Sequence, residues 1–259
     1  MSVRVDRSVP RAYVRFDSFV LRPPWSRQPM PRPARKSAAP NGSPRDPETQ
    51  AQHAYRQIEE MIVTLEMPPG SRISEKSVSA QLGIGRTPVR EALQRLAYER
   101  TIKVLPRSGV MVSEIDVAEH FKLIEVRREL ERILVGRSAR LAEPAACKRF
   151  AELAERFLEA AEKEDESIFL PTDAEFNALV AATARNDYAA AAMRPLQAQT
   201  RRFWYLYFRQ VGDLAKVSRL HAEIAMAISR KDENEAREAS DRLIDYVEQY
   251  TYRTMRALL

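Results

Sequence analysis

Residues 82–99 read LGIGRTPVREALQRLAYE, and this run decides the fold. Thr87 suits a helix N-cap, Pro88 suits the first helical position, and Val89, Leu93 and Leu96 then recur on one face, so a helix is predicted to open at Thr87. Working upstream, Gly83 stops a shorter helix that Ser74 caps and that turns Val78 and Leu82 inward. Before it, Met67-Pro68-Pro69-Gly70 breaks a first helix, whose face is Tyr55, Ile58, Ile62 and Leu65. Downstream, two β-prone runs, Ile102 to Leu105 and Val110 to Val112, are joined by Pro106-Arg107-Ser108-Gly109 as a hairpin. Three helices and a hairpin between residues 48 and 114 make a winged helix-turn-helix.

One feature of the third helix is not explained by stability. Arg86 and Arg90 crowd its N-terminus, where the helix dipole disfavours cations. A phosphate or a guanine edge there would offset that cost, and the N-terminal end of a recognition helix is the part that enters a major groove. Thr87, Arg90 and Gln94 share the outward face and carry hydrogen-bonding groups, while the inward face is aliphatic. The expected partner is double-stranded DNA.

Charge is unevenly spread. The chain of 259 residues has 42 Lys+Arg and 36 Asp+Glu, yet residues 1–47 alone carry a net charge of +7 and 9 of the 16 prolines. Residues 1–47 are therefore expected to be a disordered basic arm, either adding phosphate attraction or dispensable. Only 7 glycines are present and no phosphate-cradling glycine motif is found, which argues against a nucleotide-binding enzyme. The lone Cys147 makes no intrachain disulfide, and no apolar run approaches the roughly 18 residues needed to span a membrane, so a reducing cytoplasm is the expected setting.

Residues 115–259 read as helical throughout, with helices expected at about 117–142, 144–164, 166–184, 187–209, 213–230 and 233–258. The fold class is thus mainly α: a winged helix-turn-helix followed by an all-helical bundle large enough for an internal pocket. The aromatic run Phe203, Trp204, Tyr205, Tyr207 and Phe208 is expected in core and subunit interface. A helical-bundle enzyme is a poor alternative, because no His stands three residues after a Glu and spacing assigns no nucleophile with its base.

Residues 67–75 (MPPGSRISE), 82–99 and 102–114 (IKVLPRSGVMVSE) resemble the DNA-binding domain of the GntR family of bacterial transcription regulators. That resemblance implies DNA contacts at Lys76, Arg86, Arg90 and Gly109, with Arg107 beside the wing tip. Lys76 departs from the arginine of FadR-type members, and a lysine gives up bidentate readout, so it is expected on phosphate. Residues 124–131 (IEVRRELE), 173–187 (DAEFNALVAATARND) and 221–236 (HAEIAMAISRKDENEA) resemble the FCD effector domain of the FadR subfamily. The resemblance implies a homodimer, and a pocket for a small carboxylate that tunes operator affinity, with repression the commoner mode.

Many such domains hold a divalent metal with one Asp and three His. Here Asp173 and His221 match, the second position is Asn177, and the fourth falls on Leu243. Two readings follow: a divalent metal (Zn, Mn or Ni) on Asp173, Asn177 and His221, or a metal-free pocket that binds its ligand through Arg127, Asn177, Asn186 and His221. Arg127 is the foremost of these, because a buried guanidinium needs an anion. Arg201 and Arg202 are weaker candidates. The alternative function is a DNA-binding dimer whose helical domain only dimerises and takes no effector.

Overall fold

The computed structural model describes residues 48–105 and 109–258, with only the backbone of 208–211. The expectations for residues 1–47, Arg107 and Phe208 lie outside the described residues or side chains.

Helix α1 (Gln50–Val63) starts from a capping box, in which Thr49 accepts from the Gln52 amide and the Gln52 side chain returns to the Thr49 amide. It buries Ala54, Tyr55, Ile58, Met61 and Ile62. The helix ends at Val63, before Leu65, which adopts a left-handed backbone (φ 63°) in the following turn. Strand β1 (Arg72–Ile73) follows, then α2 (Glu75–Leu82), capped by Ser74 and stopped by Gly83 in the left-handed region at φ 66°. Helix α3 (Arg86–Tyr98) packs Val89, Ala92, Leu93 and Leu96 against α1. It starts two residues earlier than expected: Gly85 is the N-cap, its carbonyl accepts from the Val89 amide, and Thr87 and Pro88 are the second and third helical residues.

Strands β2 (Ile102–Leu105) and β3 (Gly109–Val112) form the expected hairpin, and β1 adds to the free edge of β3, giving an antiparallel sheet of order β1-β3-β2. Two residues are too few to show alternation, so β1 is fixed by its partners Met111 and Val110, not by its own pattern.

Six helices complete the described chain: α4 (Val117–Leu141), α5 (Pro144–Lys163), α6 (Glu166–Ala184), α7 (Asp187–Val211), α8 (Leu214–Ser229) and α9 (Glu233–Leu258). Asp116, Asp165 and Asp213 cap α4, α6 and α8 with their carboxylates on first-turn amides. α5 lies along α8 and α4 along α9, around a core that includes Phe150, Phe157, Phe169, Phe176 and Ile224. Among the described residues no helix is long and apolar enough to cross a membrane.

Helix α7 also meets the winged helix. Arg202 is fully buried and donates to the Ser113 carbonyl (2.6 Å) and the Gln199 side chain (2.8 Å), and Gln199 donates to Thr101 (3.3 Å). Burial pushes the Arg202 guanidinium down to about 10, against the attraction of Glu114. Arg202 is thus a brace between α7 and the chain leaving β3, not a ligand-binding group.

Candidate nucleic-acid interface and ligand cavity

The first two turns of α3 present Arg86, Thr87, Arg90 and Gln94 to solvent, and Lys76 is exposed on the first turn of α2. Arg86, Arg90, Gln94 and Lys76, together with Gly109 at the start of β3, border a groove of about 510 Å³, floored by Leu93 and Val110; Thr87 is exposed but does not line it. Gly109 has a second reason to be glycine: its φ is 85°, and a Cβ there would stand 2.9 Å from the Ile73 carbonyl oxygen.

The groove contains a residue that sequence reasoning missed. Glu75 accepts from Arg90 at both oxygens, Nε to Oε1 at 2.9 Å and Nη2 to Oε2 at 2.8 Å. This paired bond holds the Glu75 carboxyl below, and the Arg90 guanidinium above, their usual ranges. The paired bond to Glu75 therefore fixes the orientation of the Arg90 guanidinium in the groove.

A second cavity, about 400 Å³, lies between facing stripes of α6 and α7. Leu170, Asp173, Asn177 and Ala181 supply one wall, and Arg194, Gln197, Arg201 and Trp204 supply the other, each set at helical three- and four-residue steps. Asn177 donates to Asp173 (3.0 Å) and accepts from Gln197 (2.9 Å). His221 donates Nδ1–H to the Val217 carbonyl (2.8 Å) and turns Nε2 to Asp173 (3.3 Å). Burial pushes the Asp173 carboxyl up, but the hydrogen bond and charge of His221, with Arg201 and Arg127, outweigh it and hold the group below its usual range.

Arg127 lines the cavity as expected, yet it already has its anion: Glu131 lies 2.6 Å away in the next turn and also accepts from Ser240. Asn186 does not line the cavity. Its side chain accepts from the Ala189 amide (3.1 Å) and fixes the start of α7, so its role is a cap. Of the aromatic run, for which core and interface is the preferred reading over a ligand site, Trp204 and Tyr205 line the cavity, whereas Phe203 and Tyr207 are buried. Glu59, on α1 of the winged helix, is also in the wall, and burial pushes its carboxyl above the usual range.

The donor set does not fit a transition metal. Asp173, Asn177 and His221 converge, but Asn177 turns its N–H₂ toward Asp173, since its oxygen there would meet a carboxylate, and Leu243 brings a hydrocarbon to the same cavity. Among the described residues no cluster of three or more His, Cys, Asp and Glu side chains is placed to hold an ion.

Sequence reasoning missed Arg194 and Gln197, which their three- and four-residue steps with Arg201 and Trp204 could have revealed. No such spacing reveals Glu59, since only the packing of α1 on α7 brings it there.

Residues 50–112 match the family model described as bacterial regulatory proteins, gntR family, and residues 122–246 match the FCD domain. The HTH-type transcriptional repressor RspR of Escherichia coli K12 is 28% identical over 181 residues, covering 70% of this chain and 79% of that protein. The Nta operon transcriptional regulator of Aminobacter aminovorans is 30% identical over 176 residues, covering 67% and 81%. The solved structure of E. coli McbR/YncC superposes with a TM-score of 0.69 at 20% identity, over 79% of this chain and 98% of that one.

Proposed function

Because this chain belongs to the gntR family of bacterial regulatory proteins and carries an FCD domain, and so is a DNA-binding transcription regulator and not an enzyme, we propose that its operator affinity is set by a small carboxylate held between α6 and α7. The observation that carries this reading is the cavity itself. It brings Arg127, Arg194 and Arg201 to one space beside the apolar surfaces of Phe169, Trp204, Val217 and Leu243. Such a lining suits an anion with a hydrocarbon body, and about 400 Å³ lies in the range of small-molecule sites. No step needs a metal.

Arg86, Thr87, Arg90 and Gln94 then read base edges, Lys76 holds phosphate, and Gly109 with Arg107 brings the wing to the backbone. Two copies bind a palindromic operator. Repression is the mode of the RspR relative and is the one proposed here.

Two measurements test the reading. With a duplex selected from a random-sequence library, Arg90→Ala loses operator affinity and discrimination against scrambled DNA, while its thermal melt stays near that of the parent. Melts of the parent with benzoate, succinate and citrate rise for at least one acid, and Arg201→Gln removes the rise. Unaltered melts with every acid would leave a regulator whose helical domain only dimerises.

A further inference from the structure

The winged helix contributes a carboxylate to the wall of the cavity. Glu59, on α1, has a side chain only 12% exposed, and its Oε2 stands 3.9 Å from Arg201 Nη2. The other terminal nitrogen of Arg201 stands 3.9 Å from Glu60 on the same helix. Both contacts are longer than a hydrogen bond, so the guanidinium is attracted to α1 without being locked to it.

From Glu59 a chain of short contacts runs to the recognition helix. The Tyr55 hydroxyl lies 2.7 Å from Glu59 and 2.7 Å from Glu99, the residue that closes α3. Glu99 accepts from Arg95 of α3 (3.0 Å), and the Arg95 guanidinium lies 3.8 Å from the centre of the Tyr55 ring. One hydroxyl proton cannot serve two ionised carboxylates. Glu59 and Glu99 therefore compete for the one hydroxyl donor, and a shift of either carboxylate changes the contact of the other.

We infer that Glu59 is a built-in competitor in the cavity, beside Asp173: it competes with a carboxylate ligand for Arg201, and its release from Arg201 transmits binding to α1 and α3. A ligand carboxylate that meets Arg201 in paired hydrogen bonds outdoes a contact at 3.9 Å, and two carboxylates in one shielded space repel. Glu59 then leaves the wall or takes a proton, and in either case the Tyr55, Glu99 and Arg95 contacts rearrange at the end of the recognition helix. The inference rests on the ligand-binding reading of the cavity, and its test separates the two.

Operator affinity is measured for the parent, Glu59→Gln, Arg201→Gln and the double variant without ligand, on the duplex selected by the parent. An interaction of about fivefold or more between the two substitutions is expected, and Glu60→Gln, at an exposed residue, shows a smaller one with Arg201→Gln. For whichever of benzoate, succinate and citrate moves the parent's melt, Glu59→Gln binds that acid several-fold more tightly, while the acid's effect on operator affinity shrinks toward none. Additive single effects, or an undiminished ligand response in Glu59→Gln, would overturn the inference. If no acid moves the parent's melt, the effector reading fails, and the ligand-free cycle alone decides whether Glu59 and Arg201 act on operator binding.

Discussion

Replacing Asn177 and Leu243 together by histidine converts the polar corner of the cavity into a zinc site, if the four positions converge as the structure has them. Asp173 lies 3.3 Å from His221 Nε2 and 3.0 Å from Asn177, and Leu243 borders the same cavity. Leu243 is 2% exposed, so the metal-free double variant loses a well-packed aliphatic group and gains a buried imidazole. That change costs about 2–4 kcal/mol. Zinc at a thousandfold excess over its dissociation constant returns about 4 kcal/mol. For a folded unit of this size, at about 2–4 °C per kcal/mol, the melting temperature recovers by about 8–16 °C. The assay is a pair of thermal melts on chelator-stripped protein, with and without Zn²⁺, run for the double variant and the parent. The parent is expected to be unmoved by Zn²⁺, Mn²⁺ or Ni²⁺. A double variant that ignores zinc would refute the convergence of the four positions. A parent that zinc stabilises would refute the argument that an amide and a leucine leave the donor set too poor.

Three further outcomes are expected. Glu75→Gln removes the carboxylate that orients Arg90 and repels phosphate, so binding to scrambled duplex strengthens while the preference for operator falls; fluorescence anisotropy on the two duplexes measures both, and an unchanged ratio would dismiss the orienting role. Gly109→Ala, which sets a methyl group 2.9 Å from the Ile73 carbonyl at φ 85°, destabilises the wing by more than about 1 kcal/mol; denaturant unfolding checks it, and a shift near zero would contradict the geometry. Asp173 has a folded pKa below its unfolded value, so it adds stability above roughly pH 4 that is lost as pH falls through the folded value; the urea midpoint of the parent therefore drops more steeply below pH 4 than that of Asp173→Asn, and parallel curves would count against the Asp173–His221 contact.

Helix positions were legible wherever the determinant is local. Pro144 at the first turn of α5 and Ser74 before α2 act within one turn of themselves and stand where expected, while Asp213, expected as the first residue of its helix, is the cap before α8. The start of α3 was misread for the same reason: Thr87 is a good cap in isolation, but the Gly85 carbonyl captures the Val89 amide first. Asn186 shows the converse. Its similarity to a family pattern suggested a ligand role, whereas its oxygen is spent on the Ala189 amide one turn away.

Site residues that depend on two elements meeting were legible only in part. Arg90 was found by its position at a helix N-terminus, but Glu75, fifteen residues earlier, meets it only because α2 and α3 cross. Glu59 reads in the sequence as a charge flanking the buried face of α1, one turn after Tyr55. It becomes a cavity residue because α7 packs over that side, an event that no spacing within α1 encodes.

The charge inventory of the cavity decides where a carboxylate binds. Arg127 was the foremost candidate from sequence, since a buried guanidinium needs a counter-ion, and the requirement is real, but Glu131 at 2.6 Å meets it from within the same helix. Taking Arg127 away from Glu131 would strand a buried carboxylate, the costly way to break such a pair. Arg201 differs in both respects: it is more exposed, and its partners stand at 3.9 Å. A ligand anion thus meets the lower barrier at the end of the cavity that α1 closes, which leaves Phe169, Val217 and Leu243 to receive its hydrocarbon part. That placement has a thermodynamic corollary. Ligand and α1 contend for one guanidinium, so whatever factor the acid imposes on operator affinity, operator DNA imposes equally on the affinity for the acid. Calorimetric titration of the acid into free protein and into the operator complex measures that factor from the other side, and equal affinities in the two titrations would mean that acid and operator are not coupled.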